Sequence, residues 1–379
     1  MIYFDNGATT LQKPRQVAKA VEAAMLSCAN PGRSGHRPAL KAAETVYRCR
    51  EEAAGLFEAP GPESVVFTQN ATHALNIAIK SLLHDSGHAV ISGYEHNSVV
   101  RPLEAMRARG VTYTVAQSPL FSRQAAYDAV CEAVSGETRC VILNHVSNVF
   151  GFVLPVEAID QLCSRKGIPM IIDASQSAGV LPVSVQKLPS VHFVCMPGHK
   201  SLYGPQGTGI LIVCKGEKLH SLTEGGTGSN SLSLTQPGFL PDMLESGTLN
   251  VPGIAGLCEG LRFVRKQGME AMAQHKRRLL EAAVAGLNDI RGVTAYHSTP
   301  DSQQSLFSFT AKGVNPAVIC QQLAARGICL RDGLHCSPLA HRSAGTLPDG
   351  ACRVSFSCFN TMQEVKSFLF AVKKVLTSS

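Results

Sequence analysis

The stretch "VCMPGHKSLYGPQGTGILIV", residues 194–213, decides the fold. An apolar run from Val191 to Met196 reads as a buried strand, and Gly209 to Val213 reads as a second one shortly after it. Between them Pro197, Gly198, His199 and Lys200 form a turn flanked by glycines. A lysine pinned between two core strands stands where burial lowers its pKa and exposes a nucleophilic amine.

Working outward, short apolar runs alternate with helical patterns. "SVVFT" (64–68) precedes a helix over 70–83, "HAVIS" (88–92) one over 97–109, and "CVILNHVS" (140–147) one over 155–166. "IPMIIDASQ" (168–176) supplies a further strand. This alternation predicts an α/β fold with a mainly parallel sheet wrapped by helices, and ligands in such sheets bind at the carboxyl ends of the strands. Residues 217–250 are poorer in apolar periodicity and contain "EGGTGSNS", expected to be mobile. After Pro252 a long helical stretch over 256–287, "SLFSFT" (305–310), a helix over 316–326, "ICLRDG", "CRVSFS" and a helix over 362–376 predict a smaller α+β domain. The expected division is 1–250 and 251–379. No internal repeat is visible.

The chain has 379 residues, 45% hydrophobic and 17% charged, which suits a globular protein with a substantial core. A net charge of +7 raises the question of nucleic acid, yet no block of consecutive basic residues and no aromatic-basic interleaving appears, and a site for small anions explains the excess as well. Thirteen cysteines without CxxC or Cys/His ligand spacing indicate neither a zinc site nor a disulfide framework. The start "MIYFDNGATT" lacks a signal-peptide pattern and no apolar stretch approaches a membrane span, so the expectation is a cytoplasmic protein with no membrane partner.

Several residues fall at the ends of different strands. In "TQNATHALN" the strand passes into a helix at Asn70, Ala71 and Thr72, whose free N–H groups and hydroxyl suit a phosphate, although taken alone these residues read more readily as a plain helix cap. Asp173 ends a buried strand with Gln176 one turn on, and a carboxylate there lines a site or pairs with a cation. His96 in "GYEHNS" presents a flat ring for stacking on a planar group, or is a hydrogen-bonded structural histidine; Asn148 is a polar contact or a turn residue. A planar cofactor with a phosphate, a basic ring nitrogen and a carbonyl that traps an amine uses all of these together, which points to pyridoxal 5'-phosphate bound to Lys200 as a Schiff base.

The chain resembles the class V aminotransferase-like enzymes of fold type I, and among them the cysteine desulfurases of the SufS and selenocysteine lyase branch. The residues that carry the likeness run from "YFDNGATT" through "NATHALN", "EHNS", "HVSNVFG", "IIDASQSAG", "GHKSLYGPQGTG", "ESGTLN" and "RDGLHCSPL" to "CRVSFSCFNT". The resemblance implies a large cofactor-binding domain, with segment 1–16 packing on the small one. It implies that Lys200 holds the cofactor, Asp173 pairs with its ring nitrogen, Gln176 contacts its phenolic oxygen and His96 stacks on it. Ala71, Thr72 and His199 would hold the phosphate, and Asn148 would contact cofactor or substrate. Thr248 would reach the partner's phosphate site in a homodimer. Arg353, with Arg331, would bind the substrate carboxylate, for which a guanidinium fork is suited. Cys336, after a histidine and near Arg331, would be the nucleophile that takes sulfur from L-cysteine, leaving alanine and a persulfide for an acceptor protein.

Four departures from the family pattern stand out: Pro197 where a hydroxyl residue is common, the additional Ser201, His73 after Thr72, and a shortened "HCSPL". The compact Cys336 segment favours transfer to a docking acceptor over a long swinging arm. The alternatives are a selenocysteine lyase, which shares the early chemistry, and a catalytically silent scaffold of the same fold. An aminotransferase or kynureninase-like hydrolase has no use for "RDGLHC".

Overall fold

The computed structural model describes residues 1–31, 34–216, 219–304 and 306–377. The first part of the chain runs β1 (Ile2–Tyr3), α1 (Arg15–Ser27), α2 (Arg37–Phe57), β2 (Val65–Thr68), α3 (Ala71–Leu82), β3 (Gly87–Ser92), α4 (Asn97–Ala105), β4 (Val111–Ala116) and α5 (Arg123–Ala133). The middle continues with β5 (Thr138–Asn144), α6 (Val156–Lys166), β6 (Met170–Asp173), β7 (Val191–Pro197), β8 (Gly209–Val213) and α7 (Val251–Gln267). The last part comprises α8 (Met269–Asn288), β9 (Val293–Tyr296), β10 (Leu306–Ala311), α9 (Pro316–Ala324), β11 (Ile328–Cys329), α10 (Pro338–Ser343), β12 (Cys352–Ser355) and α11 (Met362–Thr377).

Seven strands form the main sheet in the order β2-β8-β7-β6-β5-β3-β4. All neighbours pair in parallel except β8, which is antiparallel to both β7 and β2. The sheet is apolar on both faces. Val141, Leu143, Ile172 and Val194 pack into one core with α2, α6 and α7, while Cys140, Ile142, Ile171 and Phe193 pack into the other with α3 and α4. Burial on both sides is why these strands read as unbroken apolar runs. Because β7 and β8 are antiparallel neighbours, the loop joining them lies at the carboxyl end of β7, and it carries Lys200.

A second core gathers around the antiparallel sheet β12-β10-β9, covered by α8, α9 and α11. Here β1 pairs in parallel with β11, and Phe4 is buried edge-on against Phe356 and Phe368 at 4.9 and 5.8 Å between ring centres. The first residues of the chain thus cross to the C-terminal core and bring Asp5 to the end of β12, opposite Ser355.

The pattern reading passes over α1, α2, β4 and α5. The edge strand β4 pairs on one side only, so its Val-Thr-Tyr-Thr-Val-Ala sequence needs no continuous apolar run. The helical stretch read over 256–287 is two helices, parted at Gly268, whose φ of 78° lies in the left-handed region that other residues rarely adopt. Val251, Ile254, Leu257 and Leu261 of α7 belong to the core of the main sheet, whereas Leu279, Leu280, Ala283 and Val284 of α8 belong to the second core. Residues 217 and 218 of the stretch expected to be mobile, and Ser305 of "SLFSFT", lie outside the described residues. Among the described residues no helix is long and apolar enough to cross a membrane, and no group of three or more His, Cys, Asp or Glu could hold a metal ion.

Candidate active site

The carboxyl ends of β3, β5, β6 and β7 open into one cavity, closed from the other side by the loop before β12 and by the start of the chain. Ala71, Thr72, His96, Asn148, Asp173, Gln176, His199, Lys200, Arg331 and Arg353 all line it. Cys336 and Thr248 do not.

Lys200 sits on the turn because Gly198 and Gly204 let the loop fold on itself: Gly204 N–H donates to the Gly198 carbonyl at 2.8 Å, and Gly198 N–H donates to the Thr208 carbonyl at 2.8 Å. A Cβ on Gly198 would collide with the Thr208 hydroxyl. The lysine amine is enclosed by protein, and this desolvation brings its pKa down to about 8; Asp173 works in the opposite direction, while Arg353 and Arg331 lower it further. Asp173 is the last residue of β6, buried, with Oδ1 accepting from Ser175 N–H at 2.9 Å.

His96 caps α4. Its Nδ1 accepts from Ser98 N–H at 3.0 Å, which leaves the proton of the neutral ring on Nε2. Burial pulls its pKa down to about 4, with Asp173 favouring the proton and Lys200, Arg331 and Arg353 opposing it. The Ser98 hydroxyl lies 2.8 Å from both His96 Nδ1 and the Thr72 hydroxyl. Thr72 therefore joins the His96 side of the cavity to the first turn of α3, whose cap is Asn70, accepting from His73 N–H at 2.9 Å. Gln176 reaches the start of the chain, donating to the Gly7 carbonyl at 2.9 Å.

Two polar atoms of the cavity wall are buried without a hydrogen-bond partner, His199 Nδ1 and Arg353 Nε. Buried polar atoms are nearly always paired, so these two mark places where a polar ligand completes the site. Arg353 is 1% exposed; its other nitrogens donate to Asp5 Oδ1 at 2.6 Å and to the Asn148 carbonyl at 2.9 Å.

Asn148 lines the cavity, but its amide is engaged elsewhere. Nδ2 donates to the His335 carbonyl at 2.8 Å and Oδ1 accepts from the Ser337 hydroxyl at 2.6 Å, so the side chain clasps the segment on both sides of Cys336. Cys336 itself is exposed, one residue from His335 on the cavity wall, with Sγ 3.9 Å from an Arg331 guanidinium nitrogen. Thr248 lines a neighbouring cavity together with His73 and Gly207.

The departures find places too. Pro197 ends β7 opposite Gly209 and offers no N–H to the cavity. Ser201 accepts from the buried amine of Lys276 on α8 at 3.3 Å, tying the Lys200 loop to the second core. Sequence reading missed Asp5, the partner of Arg353, although it stands in "YFDNGATT", and Glu95, which sits beside His96 in "YEHNS". Glu95 is fully buried, accepting from the Ser92 hydroxyl at 2.5 Å and Asn144 N–H at 2.8 Å, and burial pushes its pKa up to about 8.

Comparison with known proteins matches residues 2–368 to aminotransferase class V. A probable cysteine desulfurase of Methanothermobacter thermautotrophicus is 30% identical over 378 residues, covering 96% of this chain and 92% of that protein. A probable cysteine desulfurase of Mycolicibacterium paratuberculosis is 32% identical over 99% of this chain, which spans only 55% of that protein's length. Among solved structures, the apo cysteine desulfurase of Thermococcus onnurineus superposes with a TM-score of 0.92 at 27% identity, covering 100% of this chain and 95% of that one.

Proposed function

The chain belongs to the aminotransferase class V family, and from that membership we propose that it is a pyridoxal 5'-phosphate-dependent cysteine desulfurase, converting L-cysteine to L-alanine and a persulfide on Cys336. One observation carries the reading: a single exposed thiol, beside Arg331, borders the cavity that holds Lys200 and Asp173.

The cavity fits the cofactor. The unpaired His199 Nδ1 and the first turn of α3 suit a phosphate, whose charge a helix N-terminus favours. Lys200 supplies the amine for the aldehyde, and Asp173 a carboxylate to hold a proton on the ring nitrogen. When bound, the cofactor supplies an electron sink for a carbanion at the substrate's Cα. Neutral His96 presents its ring and an Nε2 proton to the same space. The unpaired Arg353 Nε, with Arg331, supports binding of the substrate carboxylate. Lys200, with its pKa lowered into the working range, takes the Cα proton. Cys336 Sγ then forms an S–S bond to the substrate sulfur as the C–S bond breaks, its electron pair passing to the three-carbon fragment, which takes up protons and leaves as alanine.

Thr248 lines a cavity apart from the one that holds Lys200, and the 217–250 segment also carries the fully exposed Leu232 and Leu234, which supports a homodimer in which Thr248 serves the partner's site. An exposed Cys336 on a compact turn supports direct transfer to a docking sulfur-acceptor protein, and thirteen free cysteines suit a reducing, cytoplasmic setting. The test is purified protein loaded with pyridoxal 5'-phosphate and given L-cysteine or L-selenocysteine, with alanine quantified and persulfide mapped by mass spectrometry. Alanine with a persulfide on Cys336 is expected, and Cys336→Ala should keep the cofactor's colour but lose persulfide. Alanine from selenocysteine alone assigns a selenocysteine lyase, and no cofactor uptake assigns a scaffold.

A further inference from the structure

We propose that His341 is a positioning residue for the sulfur-accepting thiol: with His335 and Thr346 it forms a one-way hydrogen-bond relay that locks the turn carrying Cys336. The assignment of that thiol rests on the desulfurase reading; the relay itself rests on geometry.

His335 and Cys336 have φ of 53° and 57°, two consecutive residues other than glycine in the left-handed region. Such backbone persists only where its surroundings over-determine it. Part of the constraint is main-chain: Asn97 N–H donates to the Cys336 carbonyl at 2.7 Å and Ser337 N–H to the Leu334 carbonyl at 2.8 Å. The Asn148 amide holds His335 and Ser337 on either side, and a further constraint comes through the His335 ring.

The direction of each bond in the relay follows from what its end can do. His335 Nε2 lies 3.2 Å from the Arg331 carbonyl, which only accepts, so Nε2 carries the proton and Nδ1 is a bare lone pair. His341 Nε2 lies 3.4 Å from that lone pair and must donate to it. His341 Nδ1 is then the acceptor, and the Thr346 hydroxyl, 2.7 Å away, donates. The two rings lie nearly parallel, 17° apart with centres 5.6 Å from each other. The Thr346 hydroxyl also lies 3.4 Å from the His341 carbonyl. A flipped tautomer at His335 would set a proton against the His341 Nε2 proton, and one at His341 would set its Nε2 lone pair against that of His335 Nδ1. Burial holds both rings neutral, which preserves the direction. His341 is fully buried and does not line the cavity; α10, which carries it, is fastened to the end of β3 by the Ser343 hydroxyl donating to the Gly93 carbonyl at 3.0 Å. The relay therefore transmits the rigidity of the main sheet to the turn that holds the thiol beside Arg331.

The test compares His341→Asn, His341→Gln and Thr346→Val. An Asn amide ends short of His335, whereas Gln places a donor near the position of Nε2. In His341→Asn, amide hydrogen exchange across residues 331–337 should quicken, and kcat should fall about tenfold with KM for L-cysteine held within about twofold, as expected for a misplaced reacting group. His341→Gln should recover most of both. Wild-type exchange and kcat in His341→Asn would overturn the relay. If the Asn chain does not fold, Thr346→Val and His341→Gln decide: faster exchange in Val than in Gln supports the relay, and equal exchange overturns it. Exchange is read on the unloaded chain, so a protein that makes no alanine refutes the desulfurase reading alone.

Discussion

Lys200 offers the sharpest test, through pH. Its pKa falls from 10.5 to about 8, because the amine is desolvated and faces Arg353 and Arg331. At pH 7 a lysine with a pKa near 8 is about 10% neutral, against roughly 0.03% for an ordinary one, a gain of about 300-fold in nucleophilic amine. The assay is the rate at which the cofactor-free chain takes up pyridoxal 5'-phosphate, followed by visible absorbance from about pH 6 to about pH 10. The rate should climb about tenfold per pH unit at first and bend over near pH 8. Arg331→Leu removes a cation that lowers the pKa, so its bend should move up; Asp173→Asn removes the anion that raises it, so its bend should move down. A wild-type rate still rising tenfold per unit beyond about pH 9 would show that Lys200 is an ordinary lysine and refute the electrostatic account.

Arg353→Lys keeps the charge and the Asp5 pairing but loses the planar fork, so kcat/KM for L-cysteine should fall about 10- to 100-fold, mainly through KM, in steady-state kinetics. The Arg50 guanidinium pairs with Glu245 in the main core at 2.9 and 2.5 Å, and Phe67 N–H adds a third bond to the carboxylate at 2.5 Å. Glu245→Ala leaves that guanidinium buried and unpaired and should cost about 3–5 kcal/mol in urea unfolding. Lys276, 1% exposed, has its pKa lowered by burial from 10.5 to about 8. Its folded value lies below its unfolded one, so its burial penalty is full below about pH 8 and fades towards pH 10.5. Lys276→Met should therefore stabilise the chain at pH 7 by something on the order of 3 kcal/mol, and by much less at about pH 10, in melting curves at the two values.

The strands β5, β6 and β7, the loop with Lys200, the carboxylate of Asp173 and the α3 cap at Asn70 were all legible in the chain, because a strand buried on both faces writes an apolar run and a helix start writes its own cap. The edge strand β4 and the helix break at Gly268 were not: one is only half paired, and a single glycine inside an apolar period carries no direction. Ten of the residues expected at the site meet in one cavity, yet their partners are set by contacts between distant segments. Asp5 reaches Arg353 because β1 pairs with β11 some 325 residues away in sequence, as the register Ile2 to Ile328 shows. Asn148, read as a contact for cofactor or substrate, spends its amide on the Cys336 turn, and Ser201, a bare oddity in sequence, accepts from a lysine on another helix. The residue types that chemistry requires are a local property of the sequence. Which of them face each other, which hydrogen bonds are already used, and how far burial moves a pKa depend on the packing of segments remote in the chain, and only the tertiary structure decided those.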